Sequence, residues 1–193
     1  MLRQGLAIFF LVFFLFLSAP AVAASISGKV IGVTDGDTIT VLGSNKIAYE
    51  IRLANIDAPE TTCHLRRPGK TNTACVDHGQ PFAKAAKRAA MSMLYGQIVT
   101  VQLVETRGQA AESYSRLIGT VYLRGVDANY ELVKQGWAWH EKHYGSQQQD
   151  IKTFTAYSAA ETAARRGRLG LWLDNRKPVP PWEWRREHAV RSR

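Results

Sequence analysis

Apolar positions recur along this chain first with period two and then with a helical period, and the changes between the two lay out its elements. "SISGKVIGVTDGDTITVLG" at 25–43 carries Val30, Val33, Ile39 and Val41 as apolar positions. Asp35-Gly36 supplies a turn signal between them, which predicts a hairpin. "KIAYEIRLANI" at 46–56 alternates cleanly. Ile47, Tyr49, Ile51 and Leu53 share one face and Ala48, Glu50, Arg52 and Ala54 the other, so Arg52 points away from the large apolar side chains. Asp57, Pro59 and Glu60 follow where the proline should end the strand. Residues 61–80 hold Pro68, Gly69, Asn72 and Gly79 without steady periodicity and read as a loop.

The pattern then turns helical. "PFAKAAKRAAMSML" at 81–94 puts Pro81 in a first-turn position and makes a stripe of Phe82, Ala85, Ala86, Ala89, Ala90 and Met93. Lys84, Lys87 and Arg88 form its solvated face. "QIVTVQLVE" and "RLIGTVYL" read as two further strands, joined by the polar "TRGQAAESYS". A short helix over 127–135 is closed by Gly136, a residue suited to a left-handed cap, and a longer one over 147–166 includes Ile151 and Phe154. Strands, helix, strands and helices in that order predict an α+β domain built on an antiparallel sheet or small barrel. In the tail "DNRKPVPPWEWRREHAVRSR", Trp182 and Trp184 are expected to pack back on the domain, and Arg191 to Arg193 to fray.

Composition changes this picture at the N-terminus. Arg3 is the only charge among the first 24 residues, Leu6 to Leu17 is wholly apolar, and "APAVAA" offers small residues for cleavage after Ala23 or Ala24. This is the pattern of a secretory signal peptide, and it places the mature chain in the periplasm or outside the cell. The apolar run is short against the ~20 residues of a spanning helix, although the longer charge-free stretch keeps an uncleaved anchor as the alternative. The expected organisation is a signal peptide at 1–24, one domain at 25–174 and a Pro/Trp/Arg-rich tail at 175–193. The net charge of +9 includes Arg3, so the mature chain carries +8 and attracts polyanions.

Two cysteines, Cys63 and Cys75, lie in the irregular loop. In an exported chain an even count suggests one disulfide, which for a loop of this length stabilises by about 3 kcal/mol in the chain-entropy model. "CH" at 63–64 and "CVDH" at 75–78 also offer two Cys and two His to zinc. Adjacent Cys63 and His64 make a poor tetrahedral chelate, so the bridge is the favoured reading.

Candidate chemistry sits in three stretches: "DGDT" at 35–38, "IRLANIDAPE" at 51–60 and "SYSRL" at 113–117. Each alone has a structural explanation as a turn, a strand-end cap or an edge arginine. Together, with "LVKQGWAW" at 132–139 and the terminal "GLW", their order and spacing resemble the staphylococcal nuclease (thermonuclease) family from about residue 28 to Trp172. The resemblance implies an OB-fold, a five-stranded antiparallel barrel with three helices, of a kind that recurs in binders of extended nucleic acid.

It also implies a site. Asp37 and Asp57 match calcium-binding aspartates, and Ala58 matches the residue that lends its backbone carbonyl. Arg52 and Arg116 match the arginines that grip the reacting phosphate, and Glu60 the proposed general base. Tyr114 and Tyr144 match tyrosines lining the nucleotide site. His140 and His143 are expected to lie exposed on a helix end, without a role. Ser115 in place of the usual glycine, Ser113 in place of a lysine, and the cysteine-bearing insertion depart from the family pattern. The implied function is calcium-dependent hydrolysis of phosphodiesters in DNA or RNA, leaving a 3′-phosphate, by a monomer without a stable protein partner. The rival readings are a non-catalytic OB-fold binding module and a secreted metal-binding or matrix-interacting protein.

Overall fold

The computed structural model describes residues 24–61, 79–104, 116–143, 149–173 and 177–188. Residues 1–23, with the expected signal peptide, and Cys63, Cys75, Ser113, Tyr114, Ser115 and Tyr144 lie outside them. Strands β1 (Ser25–Val33) and β2 (Thr38–Gly43) form the expected hairpin, with Val33 opposite Ile39 and a register shift between Val30 and Gly32. β2 pairs with β3 (Ala48–Leu53), and β1 pairs on its other side with β5 (Ile98–Leu103), which pairs with β6 (Arg116–Leu123). β6 then pairs with β3 and closes the ring.

This closing pair is parallel, with Arg52 opposite Ile118 and Glu50 opposite Arg116, which corrects the expectation of a wholly antiparallel barrel. The reason is geometric, because directions cannot alternate all the way around five strands. Two short pairings complete the described sheet structure: β4 (Ile56–Asp57) pairs with β8 (Trp139–His140), and β7 (Val126–Asp127) pairs with β6.

The alternation seen in the sequence fills the barrel. Val30, Ile39, Val41, Ile51, Leu53, Val99, Val101 and Val121 are all buried. Truncating one of them to alanine is the kind of change that costs ~2 to 5 kcal/mol. Ile47 lies outside β3 and is exposed.

Helix α1 (Ala83–Leu94) starts two residues later than the sequence pattern placed it, after Phe82 at φ 70°. Its buried row is Ala83, Ala86, Ala90 and Leu94, with Phe82, Ala85, Ala89 and Met93 only half-buried beside it. Ala83, Ala86 and Ala90 on the innermost row let the helix approach the barrel closely, and Leu94 is buried at its end.

α2 (Ala128–Lys134) is capped by Asp127, whose carboxylate accepts from Tyr130 N, and Gly136 at φ 79° follows it as predicted. α3 (Ile151–Arg166) is capped by Asp150, which accepts from Thr153 N, and packs on α2. Among the described residues a further helix, α4 (Pro181–His188), stands where the sequence suggested only a tail. Among the described residues no helix is long and apolar enough to cross a membrane.

His140 corrects another expectation. It is fully buried rather than exposed, with ring nitrogens 3.1 Å from Ser158 Oγ and 3.0 Å from Gln149 Oε1. Burial lowers its pKa, and it packs edge-on against Phe154. His143 is exposed, as expected.

Candidate active site

The end of the barrel where β2 begins and β3 ends gathers the acidic residues. The β1–β2 turn is shaped locally: Asp35 Oδ1 accepts from Asp37 N, and Thr34 N donates to Thr38 O. Gly36 lies so close to its neighbours that a Cβ there would meet the Cβ of Ala58 at 2.6 Å. Only glycine allows this turn to lie against the "APE" segment. Asp37 O accepts from Leu53 N, which continues the ladder and aims the Asp37 side chain inward.

Arg52, opposite Thr38 in the sheet, spans two carboxylates. Its Nη1 is 2.9 Å from Asp37 Oδ1 and its Nη2 is 2.7 Å from Asp57 Oδ1. Ala58 N donates to Asp37 Oδ2 at 2.6 Å, so the backbone of one acidic stretch ties down the carboxylate of the other. Asp57 is buried and Glu60 nearly so.

A second arginine completes the cluster, and the sequence reading assigned it no role. Arg185 of α4 places Nη2 at 2.7 Å from Asp57 Oδ2 and Nη1 at 3.1 Å from Asp57 Oδ1 and 2.5 Å from Glu60 Oε1. The available signal was "PWEWRR": a proline suited to a helix start, with Trp182 and Arg185 three apart and so on one face. Gln80 is a second missed residue. Its Oε1 accepts from Glu60 N and its Nε2 donates to Val179 O, while Gln80 N donates to Glu60 O. The chain on either side of 62–78 is thereby joined at its base, as a local insertion requires.

The electrostatics are shared. Arg52 serves Asp37 and Asp57, Arg185 serves Asp57 and Glu60, and Asp35 acts on the charge of Asp37. Burial, opposed by Arg52 and reinforced by Asp35 and Asp57, pushes the Asp37 carboxyl well above the usual carboxylate range. Burial pulls Arg52 down, but the charges of Asp37 and Asp57 outweigh it and hold the guanidinium firmly protonated. Arg185 is likewise raised, its burial outweighed by the hydrogen bond and charge of Asp57 and by Glu60.

Arg116 enters β6 opposite Glu50, two positions from the residue paired with Arg52. The structure therefore brings together the predicted Asp37, Arg52, Asp57, Ala58 and Glu60, and puts the backbone of Arg116 on the strand beside them.

The family profile described as staphylococcal nuclease homologue matches residues 50–174. The chain belongs to the staphylococcal nuclease family. A relative from Escherichia coli O157:H7 named "Uncharacterized endonuclease" is 35% identical over 91% of this chain and 94% of its own length. "Micrococcal nuclease" of Shigella flexneri is 33% identical over 89% of this chain and 87% of its own. An "Uncharacterized endonuclease" of Haemophilus influenzae is 30% identical over 84% of this chain and 74% of its own. The closed barrel with its helices is the OB-fold of the staphylococcal nuclease family. Arg185 and α4 lie beyond the stretch that the family profile matches.

A calcium ion of the kind bound in this family fits the donor set. Asp37, Asp57 and the Ala58 carbonyl are all oxygen donors, as Ca²⁺ prefers. Each carboxylate oxygen has two acceptor directions. After the contacts above, and the Thr38 hydroxyl on Asp37 Oδ1, one remains at Asp37 Oδ2 and one at Asp57 Oδ2 among the described residues. No group of three or more His, Cys, Asp or Glu among those residues could hold a metal ion by itself. A cation here would rest on two carboxylates, a carbonyl, water and substrate oxygens.

Proposed function

We propose that this protein is a calcium-dependent phosphodiesterase that hydrolyses DNA, with RNA as a second substrate. The observation that carries the reading is the convergence of Asp37, Asp57 and the Ala58 backbone with Arg52 at one end of the barrel. Hard oxygen donors beside a guanidinium suit a divalent cation and a phosphate together. Asp37, Asp57 and the Ala58 carbonyl would hold Ca²⁺. When bound, it supplies positive charge against a phosphate oxygen in a site that excludes much of the solvent.

The remaining work falls to the protein's own side chains. Glu60 orients a water molecule and accepts its proton as the water oxygen bonds to phosphorus. The P–O5′ bond breaks, the 5′-oxygen leaves as a hydroxyl with a proton taken from solvent water, and the phosphate stays on the 3′-oxygen. Arg52 spends two of its five N–H donors on Asp37 and Asp57, so others remain for the non-bridging oxygens that gain charge. Arg116 supplies the second guanidinium, and Tyr114 and Tyr144 line the nucleotide. The net charge of +9 favours encounter with a polyanion.

Digestion of single- and double-stranded DNA and of RNA by the purified protein tests this, with Ca²⁺ or excess chelator and with Glu60→Ala alongside. Cleavage should require Ca²⁺ and fall at least ~100-fold in the variant. A wild type as inert as Glu60→Ala in every metal, yet still binding DNA, would make the chain a binding module.

A further inference from the structure

The acids assigned to chemistry are held from outside the stretch that the family profile matches. Helix α4 docks through buried Pro181 and through Trp182, whose ring meets Trp139 edge-on at 6.5 Å. Trp139 is also the β8 residue paired with Asp57. The strand pair that positions Asp57 therefore also receives the helix that bears Arg185.

Gln80 ties the same two regions together a second time, with Glu60 N on its Oε1 and Val179 O on its Nε2. Glu60 follows Pro59 in irregular chain and has three side-chain torsions to fix. It is held at its backbone by Gln80 and at its carboxylate by Arg185, whose other contacts take both oxygens of Asp57.

We propose that Arg185 is a positioning residue of the hydrolytic site, its guanidinium fixing the orientations of Glu60 and Asp57 together, so that α4 is part of the active centre. The inference rests on the nuclease reading. One planar fork reaching two carboxylates sets the angle between them, and that angle decides where the water held by Glu60 stands relative to a phosphate beside Asp57. Taking one oxygen of Glu60 also sets the direction of the other. Lysine, a point charge on a flexible stem, cannot reproduce the fork.

The test compares wild type, Arg185→Ala, Arg185→Lys and Glu60→Ala in full steady-state kinetics on DNA. Melting temperature and Ca²⁺ affinity by calorimetry are measured on each. Misplaced reacting groups predict that kcat falls ~10- to 100-fold in both Arg185 variants, while KM stays within about threefold. Millimolar guanidinium ion should restore part of the kcat of Arg185→Ala and none of that of Glu60→Ala.

An active wild type matched by an equally active Arg185→Ala sinks the inference alone. A loss that follows melting temperature and ignores guanidinium would reduce Arg185 to a stabilising contact and also overturns it. So does a variant with higher kcat and at least tenfold tighter Ca²⁺ binding, which would make α4 a plug. A wild type that cleaves nothing overturns the nuclease reading, and this inference with it.

Discussion

Two clusters in this molecule are built from the same parts in opposite proportion. On α3, Glu161 is buried and meets Lys142 Nζ at 2.7 Å and Arg165 Nη2 at 2.6 Å, cations whose side chains are 52% and 50% exposed. One carboxylate there has two cations, each half in water, and Arg165 also lies over the Trp172 ring. At the barrel end it is the cations that are shared, Arg52 between Asp37 and Asp57 and Arg185 between Asp57 and Glu60. The first arrangement serves as a clamp between Lys142 and the helix. The second gathers carboxylates where solvent is scarce, and burial, with Asp35 and Asp57, drives the Asp37 carboxyl upward. Burial and ion pairing occur in both, so which partner is shared separates a site from a staple.

Asp37→Asn should show the largest difference. It keeps the shape of the side chain while removing one of the two carboxylates available to the cation. Ca²⁺ affinity by calorimetry should fall ~10- to 100-fold or more, judged from what weaker disturbances of metal sites do. The melting temperature should fall by only about 2 to 4 °C, because the amide oxygen still accepts from one side while the contact on the other is lost. Unchanged Ca²⁺ binding with a lower melting temperature would class Asp37 with Glu161.

Glu161→Gln should lower stability alone. Its cations stand half in water, so the loss is about 1 kcal/mol, or roughly 2 to 4 °C in melting temperature, with kcat/KM unchanged. A large loss of activity would show that the two clusters are coupled.

The smallest effect concerns His140, which neighbours the Glu161 cluster. Its pKa is lowered by burial, and Lys142 adds to the shift. Below the unfolded value of about 6.5 the unfolded chain binds a proton that the folded chain does not, so stability drops as the pH is lowered through that window and is unaffected above it. Wild type should therefore lose more melting temperature between pH 8 and pH 5.5 than His140→Gln. Equal losses would assign the acid sensitivity elsewhere.

Much of the site was legible because its residues are close in sequence or fixed by strand parity. Arg52 had to face away from Ile51 and Leu53, and DGDT had to turn. Asp37 and Asp57 were singled out by the resemblance of their motifs to those of the staphylococcal nuclease family, and the structure brings both against Arg52. Arg185 was not legible, since it lies 128 residues from Asp57 and 125 from Glu60, and its pairing depends on how Trp182 meets Trp139. Local rules could propose a helix at "PPWEWRR" but not the surface on which it would land.

By itself the sequence determined the period of each element, and with it the barrel core, because side-chain alternation in a strand and the helical repeat are properties of the local backbone. It also determined the order of the elements. Tertiary structure alone decided that β3 and β6 close the ring in parallel, that His140 is buried, and that the last helix returns to the acids. Each of these depends on which distant surfaces meet, and that choice is made by the packing of the whole chain.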